Sequence, residues 1–565
     1  MSLTTIPTVG SDERVRAGLP RPERSYAIRS SWHPRRRRAW RPAVLIGLTV
    51  AGILVVHAVN MWQFPTANDD EGTYLAQAYA VRNGWGLAHY TYWYDHPPLA
   101  WIQLALFSWI PEVLFPDMLA VGAGRLSMLP VTAASLVLVY VLLRRLGFAR
   151  WVGALAMVIY GLSPLSVGLM RQIYLDGFAV VWMLAAMVLI QSHRRRLWHH
   201  VAAGVAFGVA VLSKETILVV LPALLAMLWT NTEGSGRRFS LTGFTVSFLA
   251  VGAYYPLYAA LKGEFLPGDD HVSLIGAWQF QLRDREGSGS VFDGSSDAHH
   301  LVMSWLDSDP FIIVAGLVAV AAAIRAKALR GPVIALVMLV AVGLRPGGYL
   351  PTMYILALLP LFSLLIAGGT SVVAAWAARP DGPVQAVIDR LVRVGYWAGL
   401  GERALRTAAW VRPTVAVALI GAVLVAVAPA WYEGNRYALT ASHHDTYTAA
   451  ANWMRTQVAD PREVRVVVDS TLWLDLVRHG YERENVIWFY KLDVDPAVME
   501  TLPRGWRDID YLVATSVIRG DDGTRTTLDE LLAHSDVVAS FGEGDGRIDI
   551  HKINPVPDEP TATVR

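Results

Sequence analysis

The sequence predicts a mainly α-helical polytopic membrane protein, with about eleven transmembrane helices and a C-terminal α/β domain. Hydrophobic residues make up 54% of the 565 residues and charged residues only 17%, which is typical of a chain that places long segments in lipid. Apolar runs of about 20 residues, the length that crosses a bilayer, recur along the chain. After residue 431 the composition changes to short β-branched runs separated by polar turns, which indicates the α/β domain.

Residues 1–42 are rich in Arg, Ser and Pro and include the run Arg35-Arg36-Arg37-Arg38. A segment this polar cannot bury an apolar face, so we expect a disordered cytoplasmic tail. An arginine run directly before an apolar helix favours a cytoplasmic N-terminus over a nucleic-acid or anionic-lipid patch. A cleaved signal peptide fits less well, because no clear small-residue cleavage site follows the tail.

The transmembrane domain is expected at residues 43–431. Its candidate spans start near Ala43, Met118, Trp151, Tyr174, Val201, Thr216, Leu241, Phe311, Pro332, Tyr349 and Thr414. From a cytoplasmic N-terminus, five arginine-rich loops fall on the cytoplasmic side: 144–150, 193–196, 236–238, 325–330 and 390–406. The same count places three segments outside the cytoplasm: 63–117, 263–308 and 432–565. We therefore expect a multi-pass protein of the cell membrane.

The first outer loop, residues 63–117, is the most informative part of the chain. It places four carboxylates just beyond the first apolar helix: Asp69, Asp70, Glu71 and Asp95. Charges at a membrane surface must be solvated, paired or in contact with a cationic partner. The loop therefore predicts a hydrated pocket at the edge of the bilayer.

Two interfacial helices are expected within this loop. Residues 71–82 keep a helical apolar rhythm, and Pro97-Pro98 opens a second apolar run through Ile110. On the first of these helices one face would carry Asp70, Tyr74 and Gln77. These three side chains are positioned to line a pocket together.

Several charged residues lie at the predicted outer ends of later spans: Arg125, Arg171, Lys214 and Arg345. A cation at this depth either snorkels to the interface or needs a headgroup, phosphate or carboxylate partner. Asp176 lies just inside the fourth span, where it could pair with Arg171 or Lys214, or position a substrate.

The chain has no cysteine, which excludes disulfides, thiolate metal sites and a cysteine nucleophile. Three polar clusters carry metal-type ligands: Asp269-Asp270-His271, His299-His300 and His443-His444-Asp445. Solvated loops explain them better than metal sites, because no spaced partner motif completes any of them. The sequence specifies no cofactor and leaves a divalent metal ion open.

Residues 432–565 predict five strands and one helix. The strands are expected at 464–469, 486–490, 511–515, 537–541 and 547–551, with the helix at 472–479. The domain lacks both glycine-rich nucleotide-binding motifs. The expected function of this domain is recognition of an acceptor or a partner.

Five motifs follow one another within residues 40–375: Asp70-Glu71-x-x-Tyr74, Asp95-His96-Pro97-Pro98-Leu99, Gly124-Arg125-Leu126, Arg171-x-x-Tyr174-x-Asp176 and Ser213-Lys214-Glu215-Thr216. In this order they resemble the GT-C glycosyltransferases that use lipid-phosphate sugars. The pattern is nearest to the lipid A aminoarabinose transferases and the protein O-mannosyltransferases, the glycosyltransferase family 39-like group. The chain carries Thr73 and His96 where aminoarabinose transferases tend to carry basic residues, so the resemblance does not specify aminoarabinose.

The resemblance implies a GT-C-like membrane enzyme with a polyprenyl-phosphate sugar donor and a cell-envelope acceptor, working beside membrane lipid and without nucleic acid. Asp70 is the expected base, oriented by Glu71 or Asp69, with helix capping by Asp70 as the alternative. Asp95 and His96 are expected near the lipid phosphate, again with capping by Asp95 as the alternative. The other predicted donor-phosphate or substrate residues are Asp69, Tyr74, Arg125, Arg171, Tyr174, Asp176, Lys214 and Arg345.

The expected reaction is a single displacement that inverts the anomeric centre of the sugar. Two other classes of protein stay open. A polytopic transporter or flippase of lipid-linked sugars would also have many spans and intramembrane charges, although the sequence contains no evident inverted repeat of broken helices. A membrane scaffold with a partner-binding outer domain would leave the acidic loop unexplained.

Overall fold

The computed structural model describes residues 40–268, 271–377, 389–390, 421, 423, 425–520 and 525–554. Internal contacts divide the chain after Leu45, and apart from the start of the first helix everything below lies in the unit Ile46–Arg565. The predicted tail up to residue 39, the loop 390–406 beyond residue 390, and Asp269 and Asp270 fall outside the described residues. So does the predicted start of the last span at Thr414.

The described chain is mainly helical, as predicted. Its helices before residue 378, numbered in chain order, are α1 (Trp40–Ala58), α2 (Asp69–Arg82), α3 (Leu99–Ala105), α4 (Trp109–Leu114), α5 (Ala120–Arg125), α6 (Met128–Arg145), α7 (Arg150–Leu162), α8 (Pro164–Leu169), α9 (Leu175–Ile190), α10 (Leu197–Ser213), α11 (Leu221–Asn231), α12 (Gly234–Gly252), α13 (Tyr254–Lys262), α14 (Leu274–Gln279), α15 (Asp297–Ser308), α16 (Pro310–Ala323), α17 (Arg330–Gly343) and α18 (Leu359–Ala377). Short 3₁₀ turns at Glu215–Val220 and Thr352–Ala357 lead into α11 and α18. Residues 425–440 are also helical.

Three helical segments in the described chain are long and apolar enough to cross a membrane: Ala120–Arg145, Gly234–Lys262 and Thr352–Trp376. Helices α15 and α16 would pass the same test together, but they are bent by 100° at the break between them. Six shorter apolar helices of 10–17 residues accompany them: Ala43–Ala58, Leu99–Leu114, Arg150–Leu162, Leu175–Ile190, Leu197–Ser213 and Glu215–Asn231. The count of about eleven spans stays a prediction.

Glycines allow α10 and α12 to pack closely. A Cβ added at Gly204 would lie 2.2 Å from the carbonyl oxygen of Phe244, and one at Gly208 would lie 2.7 Å from Cβ of Val251. Small residues at such crossings let two membrane helices approach backbone to backbone. Because α10 ends at Ser213, this packing also fixes the position of Lys214.

Residues 63–117 contain helices where the sequence predicts them, and their interfacial position stays a prediction. Helix α2 spans the predicted segment 71–82, and α3 begins directly after Pro98. Helix α4 continues the second apolar run, with exposed Trp109 and Leu114. An apolar face left open at this position is typical of a helix that lies in the membrane interface.

The C-terminal domain contains a five-stranded sheet at the predicted positions. Its strands are β1 (Val466–Val468), β2 (Val486–Trp488), β3 (Tyr511–Ala514), β4 (Ser535–Phe541) and β5 (Ile548–Ile553), in the order β2-β1-β3-β5-β4. Strand β1 pairs in parallel with β2 and β3, whereas β5 pairs antiparallel with β3 and β4. The helices of this domain are Asp445–Gln457, Ser470–Arg478, Pro496–Met499, Ser516–Arg519 and Thr526–Ala533.

The sheet shares a hydrophobic core with the first outer loop. Val466 and Val468 belong to the cluster that contains Leu75 of α2, whereas Val467 belongs to a second cluster on the other face. This alternation follows from the two-residue period of a strand. Polar contacts join the same surfaces: the Tyr90 hydroxyl donates to the carbonyl oxygen of Val486 at 2.6 Å.

The charge pattern of the loops predicts the orientation of the chain. Cysteines introduced singly into this cysteine-free chain at Ser295 and Thr526, both exposed, should react with a membrane-impermeant thiol reagent in intact cells. A cysteine at exposed Ser235, beside Arg237 and Arg238, should react only after the membrane is opened. Labelling of the Ser235 variant alone in intact cells would reverse the topology.

Candidate active site

Helix α2 begins with three consecutive carboxylates in its first turn. Asn68 is the N-cap residue: its side chain accepts the backbone N–H of Asp70 at 3.0 Å, and its own N–H donates to Glu71 at 3.1 Å. This reciprocal capping box satisfies the end of the helix without the Asp70 carboxylate. The alternative in which Asp70 caps the helix is therefore wrong.

Glu71 forms a fully buried ion pair with Arg125. Arg125 Nε and Nη2 donate to the two carboxylate oxygens at 2.9 and 2.6 Å. The remaining guanidinium N–H groups donate to the carbonyl oxygens of Met61, Pro65 and Thr66. A guanidinium has five N–H donors, so none is left for a substrate phosphate.

Glu71 also accepts the backbone N–H of Ile173 at 3.0 Å and the side-chain amide of Gln172 at 3.1 Å. Burial alone would raise the pKa of Glu71, but the charge and hydrogen bonds of Arg125 hold it below its usual value. The carboxylate therefore stays ionised, and the ion pair ties α2 to α5 and to the segment before α9.

Asp69 faces the C-terminal domain. Its Oδ1 accepts the backbone N–H of Ser470 at 2.9 Å and also the Ser470 hydroxyl. Burial, followed by the negative charge of Asp469, raises the pKa of Asp69 to about 7. Asp69 is thus held through Oδ1, and of the three carboxylates Asp70 alone has no hydrogen bond to either oxygen in the described residues.

The Asp70 carboxylate is half-buried and forms no hydrogen bond or ion pair with the residues that the structure describes. Burial raises its pKa above the usual range, and the charge of Lys214 opposes this rise most strongly. A carboxylate with free oxygens and a raised pKa is the type of group that takes a proton from a substrate.

Lys214, His96 and Glu215 form a hydrogen-bonded row beside Asp70. Lys214 Nζ lies 2.9 Å from His96 Nε2, and His96 Nδ1 lies 3.2 Å from a carboxylate oxygen of Glu215. An ammonium group only donates, so His96 Nε2 accepts and its Nδ1–H donates to Glu215. This pattern requires the neutral imidazole; burial and the charge of Lys214 favour it, whereas Glu215 and Asp95 act in the opposite direction and raise the pKa of His96 above its usual value.

Two further predicted residues belong to this group. Asp176 is buried, its Oδ2 has no hydrogen-bond partner in the described chain, and the charge of Lys214 acts on it. The Tyr74 ring stacks on Trp101, with ring centroids 6.4 Å apart, and the charges of Asp70 and Asp176 act on its hydroxyl. Tyr74 thus lies within electrostatic range of Asp70, and Asp176 within range of Lys214.

Tyr174 and Asp95 flank the group. Tyr174 is buried, and the negative charges of Glu71 and Asp70 act on its hydroxyl. Asp95 is exposed, and its Oδ1 accepts the backbone N–H of His96 at 3.0 Å. The N-cap of α3 is Pro98, so capping of α3 by Asp95 is wrong.

Arg171 lies apart from this group. Its buried guanidinium donates to the carbonyl oxygens of Val56, Val59 and Ala438. Within the described chain it forms no ion pair with Asp176, which removes the first of the alternatives given for Asp176. The guanidinium instead joins the end of α1 to the helical residues 425–440.

Arg285 is a site residue that the sequence analysis missed. Its guanidinium stacks on the ring of Tyr349 at 3.5 Å, and its charge acts on Asp70. Its loop is joined to the segment of exposed Arg345 by a 3.1 Å hydrogen bond from the Ser288 N–H. The sequence places Arg285 in the outer loop 263–308, but a loop of this length does not indicate which side chain reaches the site.

Two histidines of the clusters noted in the sequence make ordinary polar contacts, whereas His444 is buried and its ring nitrogens have no hydrogen-bond partner among the described residues. His299 Nδ1 lies 3.0 Å from the carbonyl oxygen of Val291, and His443 Nε2 lies 3.2 Å from the Tyr437 hydroxyl. In the described residues, no group of three or more His, Asp or Glu side chains is placed to hold a metal ion.

Comparison with protein families gives one match. Residues 89–255 match the model of the dolichyl-phosphate-mannose-protein mannosyltransferases. This range contains His96, Arg125, Asp176 and Lys214, whereas Asp70 precedes it. A comparison of the sequence with curated proteins gives no significant match.

The fold is shared with solved membrane transferases. ArnT from Cupriavidus metallidurans bound to undecaprenyl phosphate is 18% identical with a TM-score of 0.55, over 90% of this chain and 98% of that chain. The oligosaccharyltransferase of Archaeoglobus fulgidus in complex with Zn and sulfate is 12% identical with a TM-score of 0.51, over 84% of this chain and 68% of that chain. Together with the family model, the shared fold confirms the resemblance to GT-C membrane glycosyltransferases.

The Glu71–Arg125 pair predicts a specific stability defect. Arg125→Ala should lower the free energy of unfolding by about 3–5 kcal/mol, because it leaves the Glu71 charge buried without its partner. Thermal unfolding of the detergent-purified protein without any donor measures this. The control Arg345→Ala removes an exposed arginine and should change the stability by less than about 0.5 kcal/mol. Equal stability of both variants would contradict the structural role of Arg125.

Proposed function

We propose that the chain is an integral membrane glycosyltransferase. It transfers a sugar from a polyprenyl-phosphate donor to a hydroxyl of a cell-envelope acceptor, on the extracytoplasmic side and with inversion of the anomeric centre. The observation that carries this proposal is the carboxylate of Asp70, which has no partner among the described residues and on which the charges of Lys214 and His96 act. The fold shared with ArnT bound to undecaprenyl phosphate supports the choice of donor.

Asp70 is the general base. In a single displacement, the acceptor oxygen attacks the anomeric carbon while the bond to the phosphate oxygen breaks. The acceptor proton goes to Asp70, whose oxygens have no competing partner in the described chain. A base held at the correct place typically contributes roughly 10²–10⁴ in rate.

Lys214 is the cation that faces the leaving phosphate. The ammonium donates one hydrogen bond to His96, which orients it, and it keeps further N–H groups for phosphate oxygens. Glu215 fixes the imidazole through Nδ1. His96 is thus assigned to orienting Lys214, in place of the direct phosphate contact expected from the sequence.

Arg285 and Arg345 form an outer cationic rim. Their two segments are joined by a backbone hydrogen bond from Ser288 to Gly348, and the charge of Arg285 acts on Asp70. Guanidinium groups bind phosphate oxygens in a bidentate manner. We assign them to the donor phosphate as it enters from the membrane.

Glu71, Arg125 and Arg171 support the site without contacting the substrate. The N–H groups of Arg125 all donate to Glu71 or to backbone oxygens, and the guanidinium of Arg171 donates to backbone oxygens. This assignment replaces the catalytic role expected for Glu71 and the donor contacts expected for the two arginines. Tyr74, on which the charge of Asp70 acts, and Asp176, on which the charge of Lys214 acts, are assigned to the sugar.

The proposal is tested by incubating the purified protein with a panel of radiolabelled polyprenyl-phosphate sugars and cell-envelope acceptors. Transfer of label to an acceptor supports the proposal. Movement of an intact lipid-linked sugar across a vesicle membrane without transfer would instead identify a flippase.

Replacement of the proposed base should remove most of the turnover. Asp70→Asn keeps the shape of the side chain but cannot take a proton, so kcat should fall by roughly 10²–10⁴. Thermal unfolding should stay close to that of the parent chain, because the Asp70 carboxylate has no protein partner to lose in the described chain. Unchanged transfer in reconstituted membranes would rule out Asp70 as the base.

The pH dependence should respond to the charges around Asp70. Transfer requires ionised Asp70, so kcat/KM should rise with pH through an acid limb above the usual aspartate pKa of 3.8. Lys214 lowers the pKa of Asp70 and Asp95 raises it. Lys214→Gln should therefore move the acid limb to higher pH, and Asp95→Asn should move it to lower pH. Acid limbs at the same pH in both variants would contradict the assignment.

A further inference from the structure

We propose that the C-terminal domain takes part in the reaction by holding Asp70 in place, and that Ser470 is the positioning residue through which it acts. The inference rests on the proposed function, because it assigns the domain a share in that same transfer. It concerns neither the donor nor the acceptor contacts. The connection runs from Ser470 to Asp69, the residue before Asp70 on α2.

Ser470 contacts this one residue through its N–H and its hydroxyl. Its backbone N–H donates to Asp69 Oδ1 at 2.9 Å, and the single proton of its hydroxyl is shared between the Asp69 carbonyl oxygen, at 2.6 Å, and the same carboxylate oxygen. Ser470 is itself buried. Both the side chain and the backbone of Asp69 are therefore fixed from the C-terminal domain.

The backbones of the two segments are in direct contact. A Cβ added at Gly72 would lie 2.2 Å from the carbonyl oxygen of Ser470 and 2.6 Å from the backbone nitrogen of Thr471. Only glycine allows this approach without movement of one backbone. The first turn of α2 thus has no free space in which to shift toward the C-terminal domain.

A second contact restrains the other side of Asp70. The hydroxyls of Thr73 and Tyr490 lie 3.2 Å apart, which joins α2 to the turn after β2. Nearby, Lys491 Nζ lies 3.4 Å from the centre of the Trp93 ring and 3.1 Å from Asp495. Asp70 therefore lies between Asp69 and Thr73, and both of these residues form hydrogen bonds with the C-terminal domain.

Asp469 supports the contact from behind. Its carboxylate caps the helix Ser470–Arg478 by accepting the Leu472 N–H at 3.2 Å, and it accepts the Tyr447 hydroxyl at 2.9 Å. These bonds fix the backbone direction of Ser470. The contacts of Asp469 within the C-terminal domain consequently orient the N–H and hydroxyl of Ser470 toward Asp69.

Positioning matters because the first turn of a helix is otherwise prone to fray. A general base must lie within hydrogen-bond distance of the proton that it takes, and a shift of about 1 Å can cost roughly 100-fold in rate. Loss of one of several contacts should cost less. We expect Ser470→Ala to lower kcat roughly 10-fold, with the KM for the donor unchanged.

The experiment compares four variants under the same transfer assay: Ser470→Ala, Ser470→Thr, Ser540→Ala and Ser470→Ala combined with Asp70→Asn. Ser470→Thr keeps the hydroxyl and should retain most of kcat. Ser540 is the matched control, because its hydroxyl also donates to a carboxylate, that of Asp549, but in the strand pair β4–β5 away from α2. Ser540→Ala should leave kcat unchanged.

The double variant separates positioning from a general effect on the fold. If Ser470 acts through Asp70, its replacement should cause little further loss once Asp70 is Asn. A full additional 10-fold loss there, an unchanged kcat in Ser470→Ala, or an equal loss in Ser470→Thr would each overturn the inference. If Ser470→Ala does not fold, Asp69→Ala removes the same contact from the side of α2. The same changes in kcat, alone and combined with Asp70→Asn, then support or overturn the inference.

The outcome also distinguishes this inference from the proposed function. Full activity of Asp70→Asn contradicts the proposed base itself. Loss of activity in Asp70→Asn with wild-type kcat in Ser470→Ala contradicts only the positioning role of the C-terminal domain.

Discussion

The buried ion pair between Glu71 and Arg125 is the interaction on which the rest of the site depends. It fixes α2 against α5 and uses every donor of the arginine. A buried charge pair of this kind is stable only when its hydrogen bonds are complete, as they are here. With α2 held in this way, its first turn presents the neighbouring carboxylate, Asp70, to the solvent side.

The helical period separates three adjacent carboxylates into three roles. Successive residues on a helix point about 100° apart, so Asp69, Asp70 and Glu71 meet different surroundings. Glu71 meets a buried arginine and Asp69 meets the C-terminal domain, whereas Asp70 meets the Lys214 row. The proposed chemistry follows from this separation, because two of the carboxylates hold the third in place.

The local sequence pattern predicted the positions of strands and helices, but it did not predict which side chains meet in the folded chain. Short runs of β-branched and aromatic residues predicted all five strands, and apolar periodicity predicted α2. Arg125 was expected to bind phosphate because the sequence shows only that it lies near a span end. Its partner Glu71 lies 54 positions earlier in the chain. Arg285 was missed for the same reason, since its approach to Asp70 depends on how a long loop folds.

A structure of this chain with a bound polyprenyl phosphate tests the central claim most directly. The account predicts that the phosphate contacts Nζ of Lys214, that Arg285 lies on its outer side, and that Asp70 stays open toward the acceptor. It also predicts that Arg125 keeps its contacts with Glu71. A phosphate bound to Arg125, with the ion pair broken, would contradict the account.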